Sequence, residues 1–278
     1  MSDPVVIIAT SIEIFLMLSG ALLLWRLEWS PAARRNRPAP AVLPWDAPVH
    51  EFLLFIFFVL FGATTASLLS NSISRGLLGL VGDEVTVFNG AFAQLGMLGG
   101  IAAFQLRVVR DSAPVPPPIR ANVFTSGAAT FLISLPLLTA TSFVWQHLLE
   151  WCGLPAEKQD LIDMFANVDS PALLAIMIVL AIGTAPISEE LIFRAGLFRY
   201  FRTRMPRWVA LLVPAVIFAS LHVNWQTFDG LASVGPLVML AVVFSLAYER
   251  TGRIGTSMVA HALFNLNTIL LIFSGAGV

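Results

Sequence analysis

The chain is predicted to be all-α, a polytopic transmembrane helix bundle, and three observations lead there. Its 278 residues are 57% hydrophobic, with a mean hydropathy of +0.83. Only 12% are charged, about half the share found in soluble domains. The apolar residues also gather into runs of roughly 20, the length at which a helix crosses the hydrocarbon layer.

Eight such runs can be drawn, at about 5–25, 51–70, 87–106, 122–144, 171–193, 208–224, 232–248 and 256–275. They leave no room for a separate soluble domain, so one integral membrane domain is expected. Residues 1–170 supply four spans and an outer loop without a motif. Residues 171–278 supply four more spans and carry the chemistry. The first run reads as a span rather than a cleaved signal. Only Met1-Ser2-Asp3-Pro4 precedes it, with no basic segment, and no small-x-small pattern follows it. It holds Glu13, for which a hydrogen bond to a neighbouring helix is the expected role. Gly96 and Gly100 in the third run, and Gly127 with Ala128 and Ala129 in the fourth, should let helix backbones approach closely.

Net charge is −1, and no nucleic-acid partner is expected. The placement of charge says more than its sum. Arginines collect in alternate loops: Arg26, Arg34, Arg35 and Arg37; Arg107, Arg110 and Arg120; Arg199, Arg202, Arg204 and Arg207; Arg250 and Arg253. The other loops hold only Arg75 and Lys158. The positive-inside rule makes the Arg-rich loops cytoplasmic and both termini external. The acidic 146–170 connection then lies outside, where Pro155–Phe165 is expected to form a short amphipathic helix on the membrane surface. Two cytoplasmic linkers, Ser30–Pro48 and Ala113–Pro118, are proline-rich and read as tethers. A basic tether beside a bilayer also meets anionic lipid in the ordinary way. Cys152 is the lone cysteine, so no intrachain disulfide and no cysteine metal cluster can form.

Ionisable groups at membrane depth are costly and usually face a protein interior or a wet cavity. Glu189-Glu190 and Arg194 close the fifth run, His222 ends the sixth, and His261 and Asn265 lie in the eighth. Glu190 and Arg194 are four apart, so they share a helix face and can pair. Glu189 points about 100° away from its neighbour and is left free for proton transfer, the task of a general base. Phe218 and His222, then His261 and Asn265, repeat the four-residue spacing. An imidazole and a carboxamide on one face can together hold an oxygen anion or orient a carbonyl. Counting ~1.5 Å per residue from the cytoplasmic boundary puts Glu189 ~14 Å deep, His222 ~21 Å and His261 ~10 Å. That spread must be absorbed by helix tilt and by kinks at Pro186 and Pro214. The cavity so formed is expected to open to the cytoplasm.

The set Glu189-Glu190-x-x-x-Arg194, Phe218-x-x-x-His222 and His261-x-x-x-Asn265 resembles the signature of the CAAX protease and bacteriocin-processing family. That family includes the type II CAAX prenyl endopeptidases. The resemblance covers about 171–275 and extends to the flanking Ser188–Phe201 and Tyr248-Glu249-Arg250-Thr251-Gly252. It implies an intramembrane endopeptidase acting on a membrane-associated peptide or protein, either a prenylated CAAX-type end or a leader peptide. Glu189 would be the catalytic carboxylate and His222 its partner in activating water. His261 and Asn265 would stabilise the oxyanion, with Glu190 and Arg194 in support. Zinc is an open alternative, with Glu189, His222 and His261 as candidate ligands. Against it, the chain has no His-Glu-x-x-His, and the resemblance favours a metal-free glutamate mechanism. Two non-hydrolytic readings compete: a peptide-binding or bacteriocin-immunity protein on the same scaffold, and a proton-coupled transporter. Membrane lipid is an expected partner, and a bacterial inner membrane the expected location.

Overall fold

The computed structural model describes residues 4–37, 39–107, 122–154, 164, 165 and 167–274. Among them the chain is helical, with no strand. We number nine helices: α1 (Pro4–Leu24), α2 (Pro31–Arg35), α3 (Val49–Gly76), α4 (Asp83–Arg107), α5 (Val123–Cys152), α6 (Pro171–Arg204), α7 (Arg207–Ser220), α8 (Val234–Thr251) and α9 (Ile254–Ser274). Seven helical stretches among the described residues are long and apolar enough to cross a membrane, and the chain is a polytopic helical bundle.

One expected span is shortened. Residues 208–224 form only the 14-residue α7, about 21 Å long at ~1.5 Å per residue, against a hydrocarbon layer of ~30 Å. The helix ends at Ser220 because the chain turns. Leu221 takes φ −75° and ψ −8°, the amide of His222 reaches back only three residues to Ala219 O, and Asn224 and Asp229 close the following loop. Apolar character runs on through Val223, but the hydrogen-bonded helix does not.

The backbone divides into two compact units. The first holds Met1–Val42, Ala121–Leu161 and Pro206–Ala260, and so α1, α2, α5, α7, α8 and the start of α9. Asn122 caps α5 by accepting from the amides of Phe124 and Thr125, and Gly153, at φ 67°, ends it in a left-handed turn. Helix α1 meets α5 where Gly20 lies directly against Pro136 O, leaving no room for a Cβ. Gly127 does the same for α9: a side chain there would stand 2.6 Å from Val259 Cβ. Glu13, expected to be covered by another helix, is instead exposed.

Helix α1 continues through a wide π turn, Trp25–Trp29, into Ser30, which caps α2. Buried in this corner, Glu28 accepts from Arg207 at 2.8 Å and Arg250 at 2.8 Å, and pairs with Arg37 at 3.4 Å. Arg207 also donates to Glu249 at 2.8 Å, and the amide of Ala41 donates to Glu249 O. The first proline-rich linker is therefore a bound strap over this part of its length, not a free tether.

The second unit holds Leu43–Arg120, Ile162–Met205 and His261–Val278, and so α3, α4, α6 and most of α9. Helices α3 and α4 form a tight hairpin. Gly96 lies against Gly62 O and Gly100 against Phe58 O, as the four-residue glycine spacing predicts. Helix α6 starts at the Ser170 cap with Pro171 in its first turn and stops at Met205, which Pro206 holds extended. The rest of the linker is bound here as well. Trp45 packs edge-on against Phe52, Phe55, Phe104 and Tyr200. Its amide donates to Thr203, and its carbonyl accepts from Arg204 at 2.8 Å. Of the expected 155–165 helix, only Met164 and Phe165 lie within the described residues. They are helical, and Phe165 is buried with Met177, Ile269 and Ile272 rather than laid on a surface. The Ala113–Pro118 linker lies outside the described residues.

Candidate active site

Helix α6 is not a plain α-helix where it carries the motif. It widens into π turns at Leu180–Thr184 and again at Leu191–Phe198, on either side of Ala185–Glu190. Such turns insert surplus residues and recur at functional positions. In the first, the amide of Ala185 reaches Leu180 O, five residues back. The next residue that could serve Ala181 O is Pro186, which has no N–H. Nδ2 of Asn265 supplies the missing donor, 2.7 Å from Ala181 O. Asn265 thus fastens α9 to the wide turn of α6.

One α-helical turn on, three buried side chains form a chain of contacts. Glu190 and Arg194 are fully buried and pair at 2.9 Å, the i,i+4 relationship the sequence predicts. The same Oε1 of Glu190 lies 2.9 Å from Nδ1 of His261, which is 3% exposed. A carboxylate only accepts, so Nδ1 carries a hydrogen and donates it. The other ring nitrogen, Nε2, then faces Glu189 Oε2 at 3.7 Å. Glu189 is the half-open member of the set, 18% exposed. Arg194, Glu190, His261 and Glu189 therefore run in series from the interior to the one accessible carboxylate.

Beneath Glu189, the hydroxyl of Ser188 is buried in close contact with Gln94 Oε1 of α4, with Thr184 O and Ala185 O at 3.1 Å. These two residues pin the segment that presents Glu189. Sequence reasoning passed over both. The available signal was an amide, Gln94, near the middle of an apolar run.

The second unit thus gathers five of the six predicted site residues: Glu189, Glu190, Arg194, His261 and Asn265. His222 belongs to the first unit. It lies in the turn after α7, not within a span, and is half-buried. Its Nδ1 is 2.8 Å from Phe218 O, and its ring sits 4.6 Å from that of Phe218. A carbonyl only accepts, so Nδ1 carries a hydrogen and donates it. The Phe218–His222 spacing survives, though through a turn.

Glu189 Oε2 and His261 Nε2 are close enough to face one cation. That makes two donors, one short of the three protein ligands of a catalytic zinc. Among the described residues, no three of His, Cys, Asp and Glu are grouped as metal ligands. Within the second unit, Glu189 and His261 are the two candidate ligands that face one another, and zinc would need a third.

Comparison with known proteins finds partial matches. A segment is 29% identical over 97 residues to the UPF0177 protein YbdI of Lactococcus lactis, covering 34% of this chain and 47% of that protein. An uncharacterized 24.3 kDa protein of Escherichia coli is 26% identical over 123 residues, 44% of this chain and 54% of its own. The chain thus spans about half the length of the curated relatives it matches. No solved structure matches. Residues 171–267, which contain every motif residue from Glu189 to Asn265, match the family model described as Type II CAAX prenyl endopeptidase Rce1-like.

Proposed function

We propose that the protein is an intramembrane endopeptidase that hydrolyses a peptide bond in a membrane-associated substrate, with Glu189 as the base that activates water. The observation that carries this reading is the series Arg194–Glu190–His261–Glu189. Three of its members are sealed in the interior and one is accessible. A solely structural charge cluster has no need to end on a half-open carboxylate beside an imidazole edge.

Two heavy atoms 3.7 Å apart are too far for a direct hydrogen bond. One water about 2.8 Å from each would see them at roughly 80°. Glu189 removes a proton from that water as its oxygen attacks the carbonyl carbon. The carbonyl oxygen becomes an anion, and the acquired proton passes to the leaving nitrogen as the C–N bond breaks. The products are a carboxylate and an amine. Glu190 accepts from Nδ1 and holds the imidazole so that Nε2 stays on the reacting side; the ring carrying hydrogens on both nitrogens donates from Nε2, with the second N–H of Asn265, to the oxyanion. Arg194 pairs with Glu190 and fixes its position. The substrate class that fits is a prenylated CAAX-type end or a leader peptide, drawn from a bacterial plasma membrane with the Arg-rich loops on the cytoplasmic side.

The test is Glu189→Gln in the full chain, reconstituted with membranes whose peptides are compared by mass spectrometry. Cleavage products should vanish while the variant keeps its helical spectrum and membrane insertion. Proteolysis at the parent rate in that variant removes the assignment. A biological phenotype that survives without any cleavage would favour the peptide-binding reading.

A further inference from the structure

The corner of the first unit that buries Glu28 also encloses a cavity, and it is not part of the peptidase cluster. The cavity, about 140 Å³, is lined by Arg26, Arg37, Arg207 and Arg250, together with Glu249 and Leu27. Four guanidinium groups thus meet two carboxylates, Glu28 and Glu249, and the corner keeps a surplus of positive charge.

Their hydrogen bonds are unequally committed. Arg207 uses its Nε and both terminal nitrogens on Glu249 and Glu28. Arg37 and Arg250 each reach Glu28 through one terminal nitrogen only. A guanidinium has five N–H donors in a planar fork, so these two bring donors to the cavity beyond those Glu28 takes. They are also open to approach, 36% and 40% exposed. Arg26 is exposed beside them. Forked donors around a small cavity suit a tetrahedral, multiply accepting anion.

The level of the cavity suggests the source of that anion. Trp25 and Trp29 flank Arg26 and Glu28 and are 52% and 48% exposed. Tryptophans at the end of a membrane helix sit at headgroup depth, and Leu27 gives the cavity one apolar wall. A basic pocket at that depth is where a phospholipid phosphate would lie. The geometry points to a built binding site for the phosphate of an anionic membrane lipid, formed by Arg37, Arg250 and Arg26 on the Arg207–Glu28–Glu249 scaffold. It differs from diffuse attraction to a basic loop because Arg34 and Arg35, equally basic and on the same strap, do not line it.

The experiment is native mass spectrometry of the full chain titrated with dioleoylphosphatidylglycerol or dioleoylphosphatidylcholine. A parallel arm titrates inorganic phosphate. Phosphatidylglycerol should be retained at least tenfold more tightly than phosphatidylcholine. The double variant Arg37→Ala/Arg250→Ala should abolish that preference. Should it fail to fold, Arg26→Gln, which disturbs no ion pair described above, should weaken retention at least threefold. Arg34→Ala/Arg35→Ala should change nothing. Equal retention of the two lipids overturns the site, as does preference surviving in both lining variants. Equal sensitivity to Arg34 and Arg35 overturns it in favour of diffuse attraction. Tight binding of inorganic phosphate with no lipid preference overturns the lipid source.

Discussion

Nδ1 of His261 lies 2.9 Å from Oε1 of Glu190, and that contact sets which edge of the imidazole faces the accessible carboxylate. A donor nitrogen locked onto a buried acceptor cannot rotate away without stranding a charge. Glu190, adjacent in sequence to Glu189, therefore holds the imidazole in place.

Glu190→Gln tests this directly. The carboxamide preserves shape but presents an N–H that competes with Nδ1, and it removes the carboxylate that Arg194 pairs with at 2.9 Å. Cleavage should fall by on the order of 10²–10⁴, as when a histidine loses the carboxylate that orients it, with most of the change in kcat. Stability should fall by about 3–5 kcal/mol, because a buried guanidinium loses its partner. Single-turnover rates and unfolding in bicelles separate the two effects. A variant with parent activity would show that the contact does not orient His261.

Asn265 has a holding role in addition to its proposed catalytic one. Removing its amide in Asn265→Ala leaves Ala181 O without a donor inside the wide turn. The expected loss is about 1–3 kcal/mol, the cost of a buried unsatisfied carbonyl. A thermal unfolding midpoint unchanged from the parent's would contradict the fastening role.

The α3–α4 hairpin supplies a paired control. Gly100→Leu must push its side chain into Phe58 O and should destabilise the fold by about 1–3 kcal/mol, as overpacking does. At Gly99, one position away, a Cβ meets nothing within 4 Å. Gly99→Ala should be neutral or stabilise by up to about 1 kcal/mol, the helix-propensity difference. Equal effects at both positions would refute close approach along the Gly96–Gly100 face.

Chelation addresses the metal question. With two donors gathered instead of three, cleavage should stay within twofold of its starting rate after treatment with EDTA or phenanthroline. Loss that zinc alone restores would require a further ligand and a different role for Glu189.

Much of the candidate site was legible because its members lie on helices, where four-residue spacing converts directly into a shared face. Glu190 with Arg194, and His261 with Asn265, are read that way. The same rule misled at His222, since hydropathy cannot see the backbone turn at Leu221. The stop signal was the turn chemistry of Asn224 and Asp229-Gly230. Nor does periodicity reveal π turns, which depend on a local register gain. Only Pro186, with its missing N–H, hinted at one. Glu28 was passed over because the arginines around it were counted as topology markers, when Arg207 and Arg250 are its binding partners. Trp45 lay hidden in a proline-rich stretch whose composition suggested a loose tether. A bulky indole among prolines was the sign that the stretch is docked.

The π turns of α6 have one last implication. Each stores surplus chain, so the heading of Glu189 around the rod is a setting, not a fixed consequence of helicity. Deleting a single residue between Leu180 and Thr184 would let the coil tighten and would take up the surplus where it lies. The half-open carboxylate would keep its heading, whereas the same deletion in a plain α-helix swings every later side chain by about 100°.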